Sequence, residues 1–160
     1  MNIEYIEIDG WSANIRFSSA HIIPEYNKCG RLHGHTYAIH AKIYGKPSEN
    51  GIIVDFRLIK NILKSISETL DHRMLIPSES PIVKVLDDRV EIVNGGKIYI
   101  FPRGDCAILP VKSTSAENLA VYILNEVIKR IKDENLNNVE EIEIGVDEGF
   151  GQGARVRKKI

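Results

Sequence analysis

The residues of this chain best suited to chemistry are three closely spaced histidines. His33 and His35 are separated by one glycine, and His21 lies a short distance upstream. Three neutral imidazoles that leave one coordination position open are the usual ligand set of a catalytic zinc ion. The residue types and their spacing therefore predict a zinc site with these three histidines as its ligands.

Extended strands are needed to bring these imidazoles to one ion. In a strand, residues i and i+2 project from the same face, so His33 and His35 can point at a common centre. His21 ends the neighbouring strand of a predicted hairpin, from which its ring can reach the same ion. His40 falls on the opposite face if the strand continues, and we leave it out of the predicted ligand set.

Cys29 lies four residues before His33 and allows two interpretations. As a fourth ligand, its thiolate would close the site and make the metal structural. As a free thiolate beside an open ion, it would act as a general base. The loop character of residues 28–31 favours an exposed, reactive thiol, whereas Cys106 has no such setting.

Two further polar motifs each allow a functional and a plain interpretation. Asp71 and His72 are either a solvated helix end or a proton-transfer pair, in which the carboxylate orients the imidazole. Glu148 follows a predicted strand, where a carboxylate can accept two parallel hydrogen bonds from a planar N–C–N donor. The alternative for Glu148 is a solvated acidic loop shared with Asp147.

Composition and charge bound the class of protein. The chain has 160 residues, of which 43% are hydrophobic and 27% charged, and its net charge is −1. These values are typical of one globular domain over residues 1–160 and predict no nucleic-acid partner. The absence of a long apolar run predicts no membrane partner. An N-terminus without a basic flank or a cleavable apolar segment predicts a cytoplasmic protein.

Hydrophobic periodicity predicts two helices. Apolar residues recur at helical spacing from Asp55, a suitable N-cap, to about His72. The same spacing follows residues 113–115, where Ser113 or Thr114 is the expected cap and Glu117 lies in the first turn.

Alternating or short apolar runs predict strands between and around the helices. Asn94-Gly95-Gly96 is a strong hairpin signal. The predicted strands are residues 3–8, 12–19, 36–45, 52–54, 90–94, 97–102, 139–146 and 154–158. Two helices over a mainly antiparallel sheet make an α+β domain.

Taken together, the motifs resemble those of the 6-pyruvoyltetrahydropterin synthase family. They occur in the family's order: Phe17-Ser-Ser-Ala-His21, Cys29-x3-His33-Gly-His35, Gly51-x3-Asp55-Phe56, Leu70-Asp71-His72, Ser115-x-Glu117-Asn118 and Glu148. The short gap between Cys29 and His33 is similar to the 6-carboxy-5,6,7,8-tetrahydropterin synthase branch, because the mammalian-type pyruvoyl enzyme has a longer one. The resemblance covers roughly residues 12–75 and 110–150.

The resemblance implies a fold, an assembly and a set of roles. The fold is the T-fold, an antiparallel sheet with two helices packed on one face. Trimers of such subunits close a barrel and often pair into hexamers, with active sites at subunit interfaces. The three histidines would bind zinc. The other implied roles are a base (Cys29), a proton relay (Asp71 and His72), the anchor of the pterin ring (Glu148) and further pocket contacts (Glu117 and Ser115).

The implied reaction is a zinc-dependent lyase reaction on 7,8-dihydroneopterin triphosphate. In the carboxy branch the products are 6-carboxy-5,6,7,8-tetrahydropterin, acetaldehyde and triphosphate, on the route to 7-deazaguanine tRNA modifications such as queuosine. Two alternatives stay open: formation of a pyruvoyl or other 6-substituted pterin, and a non-enzymatic zinc module with four closed ligands.

The chain departs from the family pattern at three places. Residues 77–112 look longer than compact members need, and we predict that they form an insertion with a β-hairpin. Ser115 stands where the family usually has threonine, and Gly149 follows Glu148 where threonine is common. The first departure affects access to the pocket or oligomer contacts, and the other two affect contacts to the substrate ring.

Overall fold

The longest strand, His33–Gly45, organises the main sheet. A computed structural model describes residues 2–160. The strands are β1 (Tyr5–Ile8), β2 (Arg16–His21), β3 (His33–Gly45), β4 (Arg73–Pro77), β5 (Val83–Val85), β6 (Arg89–Asn94), β7 (Lys97–Pro102), β8 (Cys106–Leu109), β9 (Val139–Glu148) and β10 (Gly153–Lys159). The helices are α1 (Phe56–Leu70) and α2 (Ala116–Asp133).

The main sheet has seven strands in the order β10-β9-β3-β2-β4-β8, with β1 also paired to β3. The pairs that involve β1, β3, β9 and β10 are antiparallel, as predicted. The β2–β4 and β4–β8 pairs are parallel. A parallel pair needs a long crossover. The chain supplies one through α1 before β4 and another through β5–β7 before β8, neither of which the antiparallel prediction anticipated.

One face of the main sheet, here called the core face, is covered by both helices. Alternate residues of β3 are buried there, as the period-two pattern predicts: Tyr37, Ile39, Ala41 and Ile43. The apolar sides of the helices pack into the same core. The opposite face of the main sheet, here called the outer face, carries His40, Asp147 and other polar side chains. The arrangement is the predicted α+β class, with two helices on one face.

Both helices begin with side-chain caps. Asp55 caps α1, as predicted, by accepting a hydrogen bond of 2.7 Å from the Arg57 amide. The cap of α2 is Ser115, not Ser113 or Thr114, and its hydroxyl accepts from the Asn118 amide. Thr114 is buried one residue earlier, with its side chain turned towards His21. None of the helices in residues 2–160 is both long and apolar enough to cross a membrane.

Two predicted strands were wrong in extent or kind. Residues 12–14 belong to a turn rather than to β2, because the Ala13 amide bonds the Asp9 carbonyl and Asn14 has a φ of +55°. Residues 52–54 form a loop rather than a strand. The Ser48 amide donates to the Ile52 carbonyl within the loop. The Ile53 carbonyl accepts from the Asn138 side chain instead of from a strand partner.

Residues 77–112 contain a second, three-stranded sheet in the order β5-β6-β7. The predicted hairpin is present, with Asn94 opposite Lys97 and positive φ angles at both Gly95 and Gly96. The inner side chains of this sheet pack with residues of β4 and β8 in a second small core. That these residues are an insertion relative to compact relatives stays a prediction.

Candidate functional site

The three predicted metal ligands meet at the open end of the core face. His21 is the last residue of β2, and it pairs directly with His33, the first residue of β3. His35 follows two residues later on the same face, opposite Ser19. Strand periodicity and antiparallel register therefore bring the imidazoles together without any special loop geometry.

The distances within this histidine triad are short. One ring nitrogen from each histidine lies within 4.8 Å of the other two, and no other group of three or more such ligand residues forms in residues 2–160. The Nε2 atoms of His21 and His33 are 3.1 Å apart. Cys29 is not a member of the group, so the described chain does not form the four-ligand cluster of a closed structural site.

Hydrogen bonds set which ring nitrogens face the centre of the triad. His21 donates from Nδ1 to the Thr114 carbonyl over 3.0 Å, and His33 donates from Nδ1 to the Arg31 carbonyl over 2.7 Å. A carbonyl can only accept, so Nδ1 carries a proton in both rings, and a ring with no second proton leaves its Nε2 lone pair free. Two such lone pairs at close range repel each other unless a cation lies among them. The donor set therefore fits a divalent metal such as zinc.

Burial keeps His21 in the form that binds a metal. Its side chain is 1% exposed, and this desolvation lowers its pKa to about 4, with a smaller contribution from His33 and His35. His21 is therefore neutral at physiological pH. Tyr37 lies beneath it with its hydroxyl 3.3 Å from His21 Nδ1. Burial and the charge of Glu148 raise the pKa of Tyr37, so this hydroxyl stays protonated.

Glu148 borders the histidine triad at the end of β9. One carboxylate oxygen lies 3.9 Å from His21 Nε2 and the other lies 3.9 Å from His35 Nε2. Its backbone pairs with Tyr37, which places the side chain on the core face beside the histidines. The prediction of a solvated acidic loop was wrong for Asp147, which is 7% exposed and faces the other way.

A cavity of about 400 Å³ opens next to Glu148. Its lining includes Cys29 and the three predicted substrate contacts, Ser115, Glu117 and Glu148. The other lining residues are Ile23, Tyr26, Ala116, Gln152 and Gly153. Cys29 is exposed, and its loop is held by a hydrogen bond from the Ile23 amide to the Cys29 carbonyl. A Cβ at Gly30 would lie 2.3 Å from the Tyr26 carbonyl oxygen, so only glycine fits beside the thiol.

Asp71 and His72 form the predicted pair but lie elsewhere. Asp71 accepts from His72 Nδ1 over 2.8 Å and from the Ser18 amide over 2.8 Å. The Ser18 hydrogen bond and the His72 contact hold the pKa of Asp71 below its usual value. The His72 amide in turn donates to the Ser18 carbonyl. His72, which is 84% exposed, therefore projects from the sheet in a fixed position.

The Asp71–His72 pair lies at a different cavity from Cys29. That second cavity, of about 550 Å³, is lined by His72, by His35 of the triad, and by Ser18, Gly34 and Thr36 of β2 and β3. The two cavities share no lining residue. Within one chain, Glu148 connects the histidine triad to the Cys29 cavity, whereas the Asp71–His72 pair borders the other cavity, which His35 also lines.

Residues 11–159 match the family model described as 6-pyruvoyl tetrahydropterin synthase. The chain belongs to this family. A Methanocaldococcus jannaschii protein, provisionally named 6-carboxy-5,6,7,8-tetrahydropterin synthase, is 38% identical over 158 residues, or 97% of each chain. The Rickettsia bellii 6-carboxy-5,6,7,8-tetrahydropterin synthase is 31% identical over 120 residues, which cover 73% of this chain and 78% of that protein. The Plasmodium falciparum 6-pyruvoyl tetrahydropterin synthase structure superposes with a TM-score of 0.88 and 31% identity over 100% of both chains.

Membership in the 6-pyruvoyl tetrahydropterin synthase family confirms two predictions. The fold is the T-fold, with two helices on one face of the sheet. The protein is an enzyme and a lyase. The P. falciparum structure covers the whole chain, so the β5–β7 sheet does not set this chain apart from every member of the family.

Sequence reasoning missed the residues that orient the site of this family member. Thr114 fixes the ring of His21 through its carbonyl, and its hydroxyl lies 3.3 Å from the same nitrogen. The Tyr37 hydroxyl lies 3.3 Å from that nitrogen as well. Both residues are fully buried. The alternation of β3 places Tyr37 on the histidine face, but no sequence pattern links Thr114 to His21 across 93 positions.

Proposed function

We propose that this protein converts 7,8-dihydroneopterin triphosphate and one water molecule into 6-carboxy-5,6,7,8-tetrahydropterin, acetaldehyde and triphosphate. The product would serve the synthesis of 7-deazaguanine tRNA modifications such as queuosine in the cytoplasm. One observation carries the proposal: three imidazoles gather beside the Glu148 carboxylate, which lines a cavity that also exposes the Cys29 thiol. The names of the M. jannaschii and R. bellii relatives support the same product.

A zinc ion would be held by one ring nitrogen each of His21, His33 and His35. In His21 and His33 this nitrogen is Nε2, because Nδ1 bonds a carbonyl. Zinc bound there would supply Lewis acidity towards the hydroxyl groups of the substrate side chain. The hydrogen bonds from His21 to Thr114 and from His33 to Arg31 keep two of the rings in the tautomer that this role needs.

Glu148 would anchor the pterin. A carboxylate can accept two parallel hydrogen bonds from the N–C–N edge of an aminopyrimidinone ring. A ring held in this way would occupy the cavity that Glu148 and Cys29 line. Ser115 and Glu117, at the start of α2, line the same cavity and would make further contacts to the substrate.

Proton transfer would use two groups. The Cys29 thiolate would remove a proton from the substrate side chain, and the pterin ring would be reduced internally by tautomerisation. His72, oriented by Asp71, would move protons on the other side of the substrate. Because His72 lies outside the Cys29 cavity of its own chain, we propose that a neighbouring subunit of a trimeric or hexameric barrel supplies it.

A pyruvoyl product is the second candidate. The P. falciparum structure, which superposes over the whole chain, carries the name of a 6-pyruvoyl tetrahydropterin synthase. The short spacing between Cys29 and His33 favours the carboxy product instead. A closed zinc module is disfavoured, because Cys29 lies outside the ligand group.

Incubation of the zinc-loaded protein with 7,8-dihydroneopterin triphosphate tests the proposal. We expect mass spectrometry to detect acetaldehyde and 6-carboxy-5,6,7,8-tetrahydropterin in equal amounts. A 6-pyruvoyl product without acetaldehyde would establish the second candidate. No change in the substrate, with zinc bound at one ion per chain, would rule out both.

A further inference from the structure

A buried carboxylate on the outer face of the sheet has no role in the chemistry above. Asp147 accepts three hydrogen bonds: from Trp11 Nε1 over 2.9 Å, from His40 Nε2 over 2.9 Å and from Arg155 Nη1 over 2.7 Å. These donors come from three separate parts of the chain. A buried charge satisfied so fully ties its neighbours into one rigid unit.

Two glycines leave the space that this cluster occupies. Gly145 pairs with Arg155 across β9 and β10, and Gly153 pairs with Asp147. A Cβ at Gly145 would lie 2.5 Å from the Arg155 side chain, and a Cβ at Gly153 would lie 2.1 Å from the Asp147 carboxylate. Any larger residue at either position would displace the ion pair, so the two strands are shaped around it.

The cluster also fixes the turn before β2. The Gly10 amide donates to His40 Nδ1 over 3.1 Å, which makes Nδ1 an acceptor and leaves the His40 proton on Nε2, the atom that donates to Asp147. Trp11, in the same turn, donates to Asp147 directly and stacks on Phe150 with ring centroids 4.2 Å apart. The turn and the β9–β10 connection are therefore joined through one carboxylate.

Glu148 lies at the end of β9, next to this attachment. Glu148 follows Asp147 directly, so the two side chains leave opposite faces of β9. Beyond Glu148 the chain enters a connection in which Gly149 and Gly151 have φ angles of +75° and +85°. Glycines allow such a turn but do not rigidify it. The backbone here is held by hydrogen bonds from the Glu148 amide to the Gln152 carbonyl and from the Gly149 amide to the Thr36 carbonyl. To these, Asp147 adds the side-chain bonds that tie the end of β9 to the turn before β2.

We propose that Asp147 is the positioning residue for Glu148. Its bonds to Trp11, His40 and Arg155 hold the last residue of β9 so that the Glu148 carboxylate stays between the histidine triad and the Cys29 cavity. This inference rests on the proposed function, because it assigns Asp147 to the same pterin anchor. It gives a positioning role to the three residues that donate hydrogen bonds to Asp147.

Steady-state kinetics of Asp147→Asn test the proposal. The amide keeps the size of the side chain, but it loses the charge that pairs with Arg155 and replaces one acceptor oxygen by an NH2 donor. We expect KM for 7,8-dihydroneopterin triphosphate to rise about tenfold while kcat changes much less, because ground-state binding through Glu148 is what weakens. Bound zinc should stay at the wild-type level. An unchanged KM, or loss of zinc, would overturn the proposal.

Glu141→Gln is the matched control. Glu141 pairs with Arg157 over 2.9 Å across the same two strands and on the same face, but away from Glu148. We expect this variant to keep the wild-type KM. An equal rise in KM in both variants would mean that any lost ion pair of these strands has the effect, and would overturn the specific role of Asp147.

A measurement without turnover separates this inference from the proposed function. Hydrogen exchange at the amides of residues 148–153 should become about tenfold faster in Asp147→Asn and stay at the wild-type rate in Glu141→Gln. Wild-type protein that leaves the substrate intact would end the proposed function, and the exchange rates would still decide the role of Asp147. Unchanged exchange in Asp147→Asn would overturn that role.

Trp11→Phe covers the case in which Asp147→Asn does not fold. Phenylalanine keeps the aromatic contact with Phe150 but removes the indole donor, and Arg155 and His40 still satisfy Asp147. We expect a smaller rise in KM, about threefold, with the same pattern of faster exchange at residues 148–153. Wild-type values for both would contradict the proposal.

Discussion

Among the individual residues, His21 is the predicted metal ligand with the least freedom. It is almost fully buried, and its Nδ1 is held by the Thr114 carbonyl. In the unfolded chain the same imidazole titrates near pH 6.5, whereas in the folded protein its pKa is about 4. Folding therefore selects the neutral ring, and this preference links the stability of the metal-free protein to pH.

We expect the metal-free protein to lose stability as the pH falls from about 6.5 to about 4. In this window the unfolded chain binds a proton at His21 and the folded chain does not, so the free energy of unfolding rises with pH. The contribution is on the order of 3 kcal/mol. Urea unfolding at several pH values, with and without His21→Gln, measures it. A variant that keeps the full wild-type slope would contradict the assignment to His21.

Cys29→Ala tests the base without touching the predicted ligands. General-base catalysis contributes about 10²- to 10⁴-fold to a rate, and we expect turnover to fall by that order. Zinc content, measured by atomic absorption, should not change, since Cys29 is not part of the ligand group. Cys106→Ala, at the buried cysteine of β8, is the control and should keep wild-type turnover. Loss of zinc from Cys29→Ala would instead identify the thiol as a ligand.

At the scale of elements, the loop before α2 joins three parts of the site. Thr114 orients His21, Ser115 caps the helix, and Ser115 and Glu117 line the cavity that contains Cys29. A helix cap stabilises its element wherever it occurs. Of the two helix caps, Ser115 alone also borders the proposed substrate site, so its removal should have two separable effects.

Ser115→Ala and Asp55→Ala are a matched pair of cap variants. Each removes the side-chain acceptor at the start of one helix, and each should lower the free energy of unfolding by about 1 kcal/mol. Only Ser115→Ala should also raise KM for the substrate. Denaturant unfolding and steady-state kinetics on the two proteins measure both effects. A KM change of the same size in Asp55→Ala would show that the loss of a cap, not the loss of a contact, is responsible.

For the whole molecule, the main question is where the proton-transfer pair acts. Asp71 and His72 are held rigidly by Ser18, yet they lie at a cavity separate from that of Cys29. The family resemblance implies interface active sites, and the two cavities of one chain are consistent with a site completed by a second copy. A mixed oligomer distinguishes this arrangement from a site contained in one chain.

Mixing Cys29→Ala with His72→Asn subunits should restore activity that neither variant has alone. Asparagine tolerates the positive φ of His72 better than alanine does. If each site takes its thiol and its imidazole from different subunits, random mixing after dissociation gives about a quarter of the sites both intact residues. Turnover of the mixture measures this recovery. A mixture that stays inactive although mass spectrometry shows exchanged subunits would contradict shared sites.

The sequence alone determined the elements whose cause is local. Apolar alternation fixed β3, helical spacing and Asp55 fixed α1, and two adjacent glycines fixed the β6–β7 hairpin. The histidine triad followed for the same reason, because i and i+2 geometry and hairpin register are properties of short segments. At these positions the residue types within a short segment are enough to predict its structure.

Only the tertiary structure decided what depends on distant partners. It selected Ser115 over Ser113 and Thr114 as a cap, since Thr114 is buried against His21. It turned Asp147 from an expected solvated residue into the centre of a buried cluster, and it separated His72 from the Cys29 cavity. Local patterns determine which face a side chain leaves, but contacts between segments far apart in the chain determine what it meets there.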